Sequence, residues 1–169
     1  MNQLTEPVYV VGFEELLWGG SLLALTMAIH GLGMLMVLRV ANTLHRRFAP
    51  KPSFAKGLVT LILATWLIML AHLLEVVPWA VFFAAVGAVN TAHGNTSIAF
   101  YVALSDYTTL GCEFTLVQHW RLLQGMIAVA GLMTFAWSTG VLLTIAQTFQ
   151  DQQLKLLQER RARRKSQQA

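Results

Sequence analysis

Formal charge is what this chain of 169 residues has least of, at 12% Asp, Glu, Lys and Arg against 56% apolar residues. An ordinary soluble domain carries about 25% charged residues, so the deficit argues against a water-exposed globule and for a chain built into a bilayer. Cysteine is nearly absent too. The single Cys112 excludes an intrachain disulfide and a multi-cysteine metal centre. No basic residue precedes Arg39, so the positive leader of a cleavable signal peptide is missing and the first apolar run is expected to stay as an anchor. The apolar runs hold no regular arginine series of the voltage-sensing kind. No phosphate-cradling glycine loop, catalytic triad or basic nucleic-acid patch stands out, so the chain reads as a non-enzyme without a nucleic-acid partner.

What is present is three long apolar runs. Residues 1–15 carry Glu6, Glu14 and Glu15 and read as an extracytoplasmic N-terminus. Leu16 to Leu38 then runs 23 residues without a formal charge, long enough to span at about 1.5 Å per residue. A polar link, Arg39 to Lys56, holds Pro50, Lys51 and Pro52. The second span is expected over 57–89, interrupted by Glu75 and kinked or broken at Pro78. Asn90 to Thr96 reads as a turn. The third span is expected over 120–147, followed by a basic amphipathic helix over 148–169. The expectation is one all-α membrane domain over 16–147, with spans at 16–38, 57–89 and 120–147.

Charge placement orients these spans. Of the twelve Lys and Arg, five lie between Arg39 and Lys56, six between Lys155 and Lys165, and only Arg121 lies elsewhere. The positive-inside rule places both clusters in the cytoplasm. The N-terminus is then outside, the C-terminus inside, and the chain a multi-pass protein of the cell (inner) membrane. The cluster Arg160 to Lys165 is a topology signal that can also meet anionic lipid headgroups.

Between spans two and three lies SIAFYVALSDYTTLGCE, Ser97 to Glu113. It is too short to cross a membrane, and its helical part ends at once in Thr108-Thr109-Leu110-Gly111. Extended backbone inside a membrane survives only where protein shields it or it lines a wet path. The expectation is therefore a re-entrant pore helix and loop over 97–114. Rings of backbone carbonyls can replace an ion's water shell. A helix ending near the membrane centre also points its negative dipole end at a cation.

The segment AFYVALSDYTTLG, with Trp120-Arg121-Leu122-Leu123, Gly131 and Trp137-Ser138-Thr139, resembles bacterial pore-domain proteins of the potassium-channel superfamily. His72-Leu73-Leu74-Glu75 with Trp79-Ala80 looks like the outer-helix region of that group, and the likeness covers roughly residues 65 to 147. It implies a homotetramer with the filter Thr108, Thr109, Leu110, Gly111, Cys112 and Glu113, conducting K or Na and possibly Ca. No cofactor beyond permeant cations is implied.

The sequence departs from the family pattern where TTLGYGD becomes TTLGCEF. The second glycine is lost, and four copies of Glu113 can form a carboxylate ring. Strict potassium selectivity is therefore not expected. Alternatively Glu113 turns away and pairs with Arg121. Asp106, where the family is usually uncharged, either holds the loop backbone by hydrogen bonds or adds cation affinity from behind. Glu75 either braces the loop from behind or sits at a wet helix end; with His72 one turn earlier it forms a hydrogen-bonded pair or one half of an incomplete metal site, and Trp79 is further support or an interfacial anchor. Gly131 is a hinge or a packing contact, while Thr134 and Ser138 line a cavity or bond within the bundle. His30 is read as a satisfied buried histidine. Two other functions stand beside the channel. One is a non-conducting channel-like subunit; the other is a b-type haem subunit ligated by His30 and His72.

Overall fold

The computed structural model describes residues 9–48, 54–90 and 95–168. Four α-helices follow one another: α1 Phe13–Phe48, α2 Phe54–Ala85, α3 Thr96–Tyr107 and α4 Leu122–Gln168, with one 3-10 turn, Gln118–Trp120, leading into α4. No strand occurs among the described residues; one isolated bridge joins Val89 to Leu116. Three of the helices are long and apolar enough to cross a membrane, so the chain is an all-α protein with three candidate spans.

The helix boundaries differ from the sequence reading. The link expected from Arg39 is helical as far as Phe48. His45, Arg46 and Arg47 end that helix, where cations meet the negative dipole end. Residues 49–53, including the two prolines and Lys51, lie outside the described residues, as do residues 91–94 of the expected turn. Pro78 does not break α2, which runs through it to Ala85. Nor does α4 pause between its apolar half and its basic tail. No glycine or proline follows Gly140, and Gln, Leu, Lys, Glu, Arg and Ala are all good helix formers.

The contacts divide the chain into two compact units, Met1–Ile29 with His72–Thr134, and His30–Ala71 with Phe135–Ala169. The core of the first is aromatic and aliphatic: Trp79, Phe83, Val102, Tyr107, Leu123 and Ile127 are all buried. Trp79 is wholly buried and donates its indole N–H to Thr26 Oγ1 at 2.8 Å. It is therefore an internal tie between α2 and α1 and not an interfacial anchor. Glu15 forms a second tie. Its buried carboxylate accepts from Tyr9 Oη (3.0 Å), the Gly12 N–H (3.0 Å) and the Leu122 N–H (3.1 Å), so one side chain caps the starts of both α1 and α4. Burial, and then the bond to Glu15, pushes the Tyr9 phenol above its ordinary value, which keeps it a donor.

The second unit packs Met34, Val37, Ala64, Ile68 and Ala71 together. Helices approach closely at Gly57, where a Cβ would collide with the Phe149 ring. Here the Phe54 ring also meets Phe149 at a tilt of 54° with centroids 5.6 Å apart, and Gln152 Nε2 lies 3.0 Å from the His45 ring nitrogens. The end of α1 and the start of α2 therefore flank the same stretch of α4. His30 is fully buried, 3.5 Å from Ser138 Oγ and ring-to-ring with Trp137 at 5.2 Å.

Candidate functional site

The site is built on α3. Asn95 starts this helix by accepting the Ser97 N–H on its side chain at 2.8 Å. Twelve residues later the helix stops at two consecutive threonines. Thr109 N–H donates to the Asp106 carbonyl at 3.0 Å and Leu110 N–H to the Ser105 carbonyl at 2.9 Å. This bond pair is the Schellman C-cap, which needs a left-handed residue at its turn. That residue is Thr109, with φ of 60°, the one non-glycine residue with positive φ among those described. A β-branched side chain there is a genuine outlier.

The depth of this end follows from its neighbours. A Cβ on Gly131 would collide with the Tyr107 carbonyl oxygen, so the end of α3 lies directly against α4 at that glycine. Gly131 is nine residues past Leu122, about 13 Å along the helix at 1.5 Å per residue. Glu75 lies ten residues before the end of α2, about 15 Å along that helix. The chain then returns: Asn90 N–H bonds the Thr115 carbonyl at 3.0 Å and Val117 N–H the Ala88 carbonyl at 2.8 Å. These bonds join the backbone that follows α2 to the backbone that precedes α4.

Behind this end is a buried polar cluster. Tyr107 Oη donates to Glu75 Oε2 at 2.5 Å, lies 2.6 Å from Thr134 Oγ1, and is 2.8 Å from His72 Nδ1. His72 and Glu75 themselves approach to 3.5 Å. Glu75 and Thr134 are 0% exposed and Tyr107 is 1% exposed. A His72 tautomer carrying hydrogen on Nδ1 lets the phenol oxygen accept from the imidazole while it donates to the carboxylate. Four side chains from α2, α3 and α4 are thereby locked at one point, each with a partner for its buried polar atom.

In front, the loop is open. Thr108, Thr109, Leu110, Gly111 and Glu113 are exposed, Leu110 at 80%. The N–H groups of residues 108 to 111 all turn back onto carbonyls of α3. In a trans peptide the C=O opposes the following N–H, so the carbonyls of Thr108, Thr109 and Leu110 face away from the helix. No described residue donates to them. Gly111, with φ of 71°, supplies a second left-handed position that glycine adopts without strain.

Each of the other residues marked in the sequence has a defined place. The Asp106 carboxylate reaches α4, accepting from Gln124 Nε2 at 3.1 Å, and not the loop backbone. No ion pair joins Glu113 to Arg121 among the described residues. Thr134 and Ser138 bond within the bundle, the second of their two readings: both are buried, Thr134 bonded to Tyr107 and Ser138 to His30. Gly131 serves close packing, with no room for a side chain. Cys112 Sγ donates to the Phe114 carbonyl at 3.3 Å. Burial above all, and the nearby Asp106 and Glu113 charges, push its thiol up, so it is a poor thiolate ligand. Tyr107, the centre of the cluster, is missed by the sequence reading. A tyrosine closing a helix one residue before the loop, facing a carboxylate in the preceding span, is the signal that marks it.

Comparison with family models, with curated proteins and with solved structures gave no match to this chain.

Proposed function

We propose that this chain is the protomer of a homotetrameric, potassium-channel-like cation channel in which Thr108 to Glu113 form the ion path. The observation that carries the reading is the row of carbonyls, without a donor among the described residues, on an exposed loop about 13 Å down α4. A bilayer core is about 30 Å thick, so in a membrane these groups lie near mid-depth, where lipid cannot satisfy them. Four copies around an axis turn the same groups into rings that coordinate a dehydrated cation. The Tyr107 cluster is the rigid backing that such rings need.

Glu113, exposed and without an ion-pair partner among the described residues, forms the outer carboxylate ring and relaxes selectivity. Both basic clusters belong on one membrane face, because the end of α1 and the start of α2 flank α4 near Gln152. The positive-inside rule makes that face cytoplasmic, so α3 enters from outside.

The test is flux of K, Na and Ca from liposomes holding the purified protein, native and Glu113→Gln. Native protein should pass cations, and the variant should lose any Ca preference. Absence of flux from a folded tetramer would favour a non-conducting subunit.

A further inference from the structure

A cleft in the second unit opens between the end of α1, the start of α2 and α4, with about 100 Å³ of space. Its lining changes character along the helix axes. On α1 it passes from Leu38 to Asn42 and His45, and on α4 from Ile145 to Gln152 and Gln153. Lys56 closes the polar end, its Nζ 5.3 Å over the Phe48 ring. Among the described residues no Asp or Glu lines the cleft, and Arg46 and Arg47 stand exposed beside it. An apolar floor and a cationic, donor-rich mouth in a chain with three candidate spans match an amphiphile with an anionic head. Basic clefts between spanning helices on the cytoplasmic side are where such heads bind.

We infer that this cleft binds one anionic phospholipid per protomer, its phosphate held by Lys56 with His45 and Asn42, and an acyl chain laid over Leu38 and Ile145. The site rests on helices that span a membrane with their basic ends in the cytoplasm, and it stands whether or not the loop after α3 conducts.

Delipidated protein titrated with phosphatidylglycerol or phosphatidylcholine, read by native mass spectrometry, tests it. Phosphatidylglycerol should bind at one per protomer and at least fivefold tighter than phosphatidylcholine. Lys56→Ala should weaken it about fivefold, the effect of one basic residue near an anionic surface, and Lys56→Arg should restore it. Thr148→Phe fills the cleft without changing charge and should abolish retention. Equal binding of the two lipids would overturn the assignment. So would full retention by Thr148→Phe, or loss only on the double change Arg163→Gln and Arg164→Gln, since diffuse attraction would then explain the affinity. Protection by inorganic phosphate alone equal to that by phosphatidylglycerol would replace the lipid with a free anion, and overturn it too.

Discussion

Helices α2 and α3 end in the same hydrogen-bond pattern, built from different residues. At α2, Ala88 N–H reaches the Phe83 carbonyl at 2.9 Å and Gly87 N–H the Ala84 carbonyl at 3.4 Å; Gly87 has φ of 61°. At α3 the matching bonds come from Leu110 and Thr109, and Thr109 has φ of 60°. The first end uses glycine, the residue that takes this conformation at no steric cost. The second forces a threonine into it, at about 1–2 kcal/mol. The residue after each turn differs as well. Ala88 is wholly buried, whereas Leu110 is 80% exposed. One end closes a core; the other holds a strained turn outward. Strain of this kind persists where the surroundings over-determine it, and it clusters at functional sites. Here the over-determination is visible in the Tyr107 cluster and the Gly131 contact.

If that support is what holds the strained end, removing it should cost most. Gly131→Val drives a side chain into the Tyr107 carbonyl and should lower stability by more than about 3 kcal/mol, the upper range for overpacking, read as thermal unfolding in detergent. Tyr107→Phe leaves Glu75 buried without its phenol donor and should cost about 2 kcal/mol. Paired with Thr134→Val in a double-mutant cycle, it should show non-additivity. The exchange of turn residues is next. Gly87→Thr should destabilise by about 1–2 kcal/mol, while Thr109→Gly should stabilise by about 1 kcal/mol and impair flux. Equal signs for these two would break the comparison. The smallest effect concerns Cys112. Because burial raises its thiol pKa, alkylation should be slow at neutral pH and quicken only above the range of an ordinary cysteine.

Much of this end is legible in the sequence. The half-length helix and its stop at Thr108 follow from an apolar run too short to span and two adjacent threonines. The backing is legible only in part. His72 and Glu75 share a helix face at three-residue spacing, so their pairing can be read locally. Tyr107 meets Glu75 and Thr134 across separations of 32 and 27 residues, which no periodicity encodes. The same holds for Glu15, whose contact with Leu122 spans 107 residues. Hydropathy misplaces the helix ends, because it marks where apolar residues stop and not where backbone hydrogen bonding stops. Arg39 to Phe48 is polar yet helical for that reason.

The most direct measurement of the ion-path claim places a cysteine at Leu110, which the loop leaves 80% exposed. In a Cys112→Ser background, Leu110→Cys protein in liposomes is treated with a charged methanethiosulfonate reagent while cation flux is followed. Flux should fall to near background as the four positions are modified. Complete modification with flux unchanged would mean that ions do not pass the loop at Leu110.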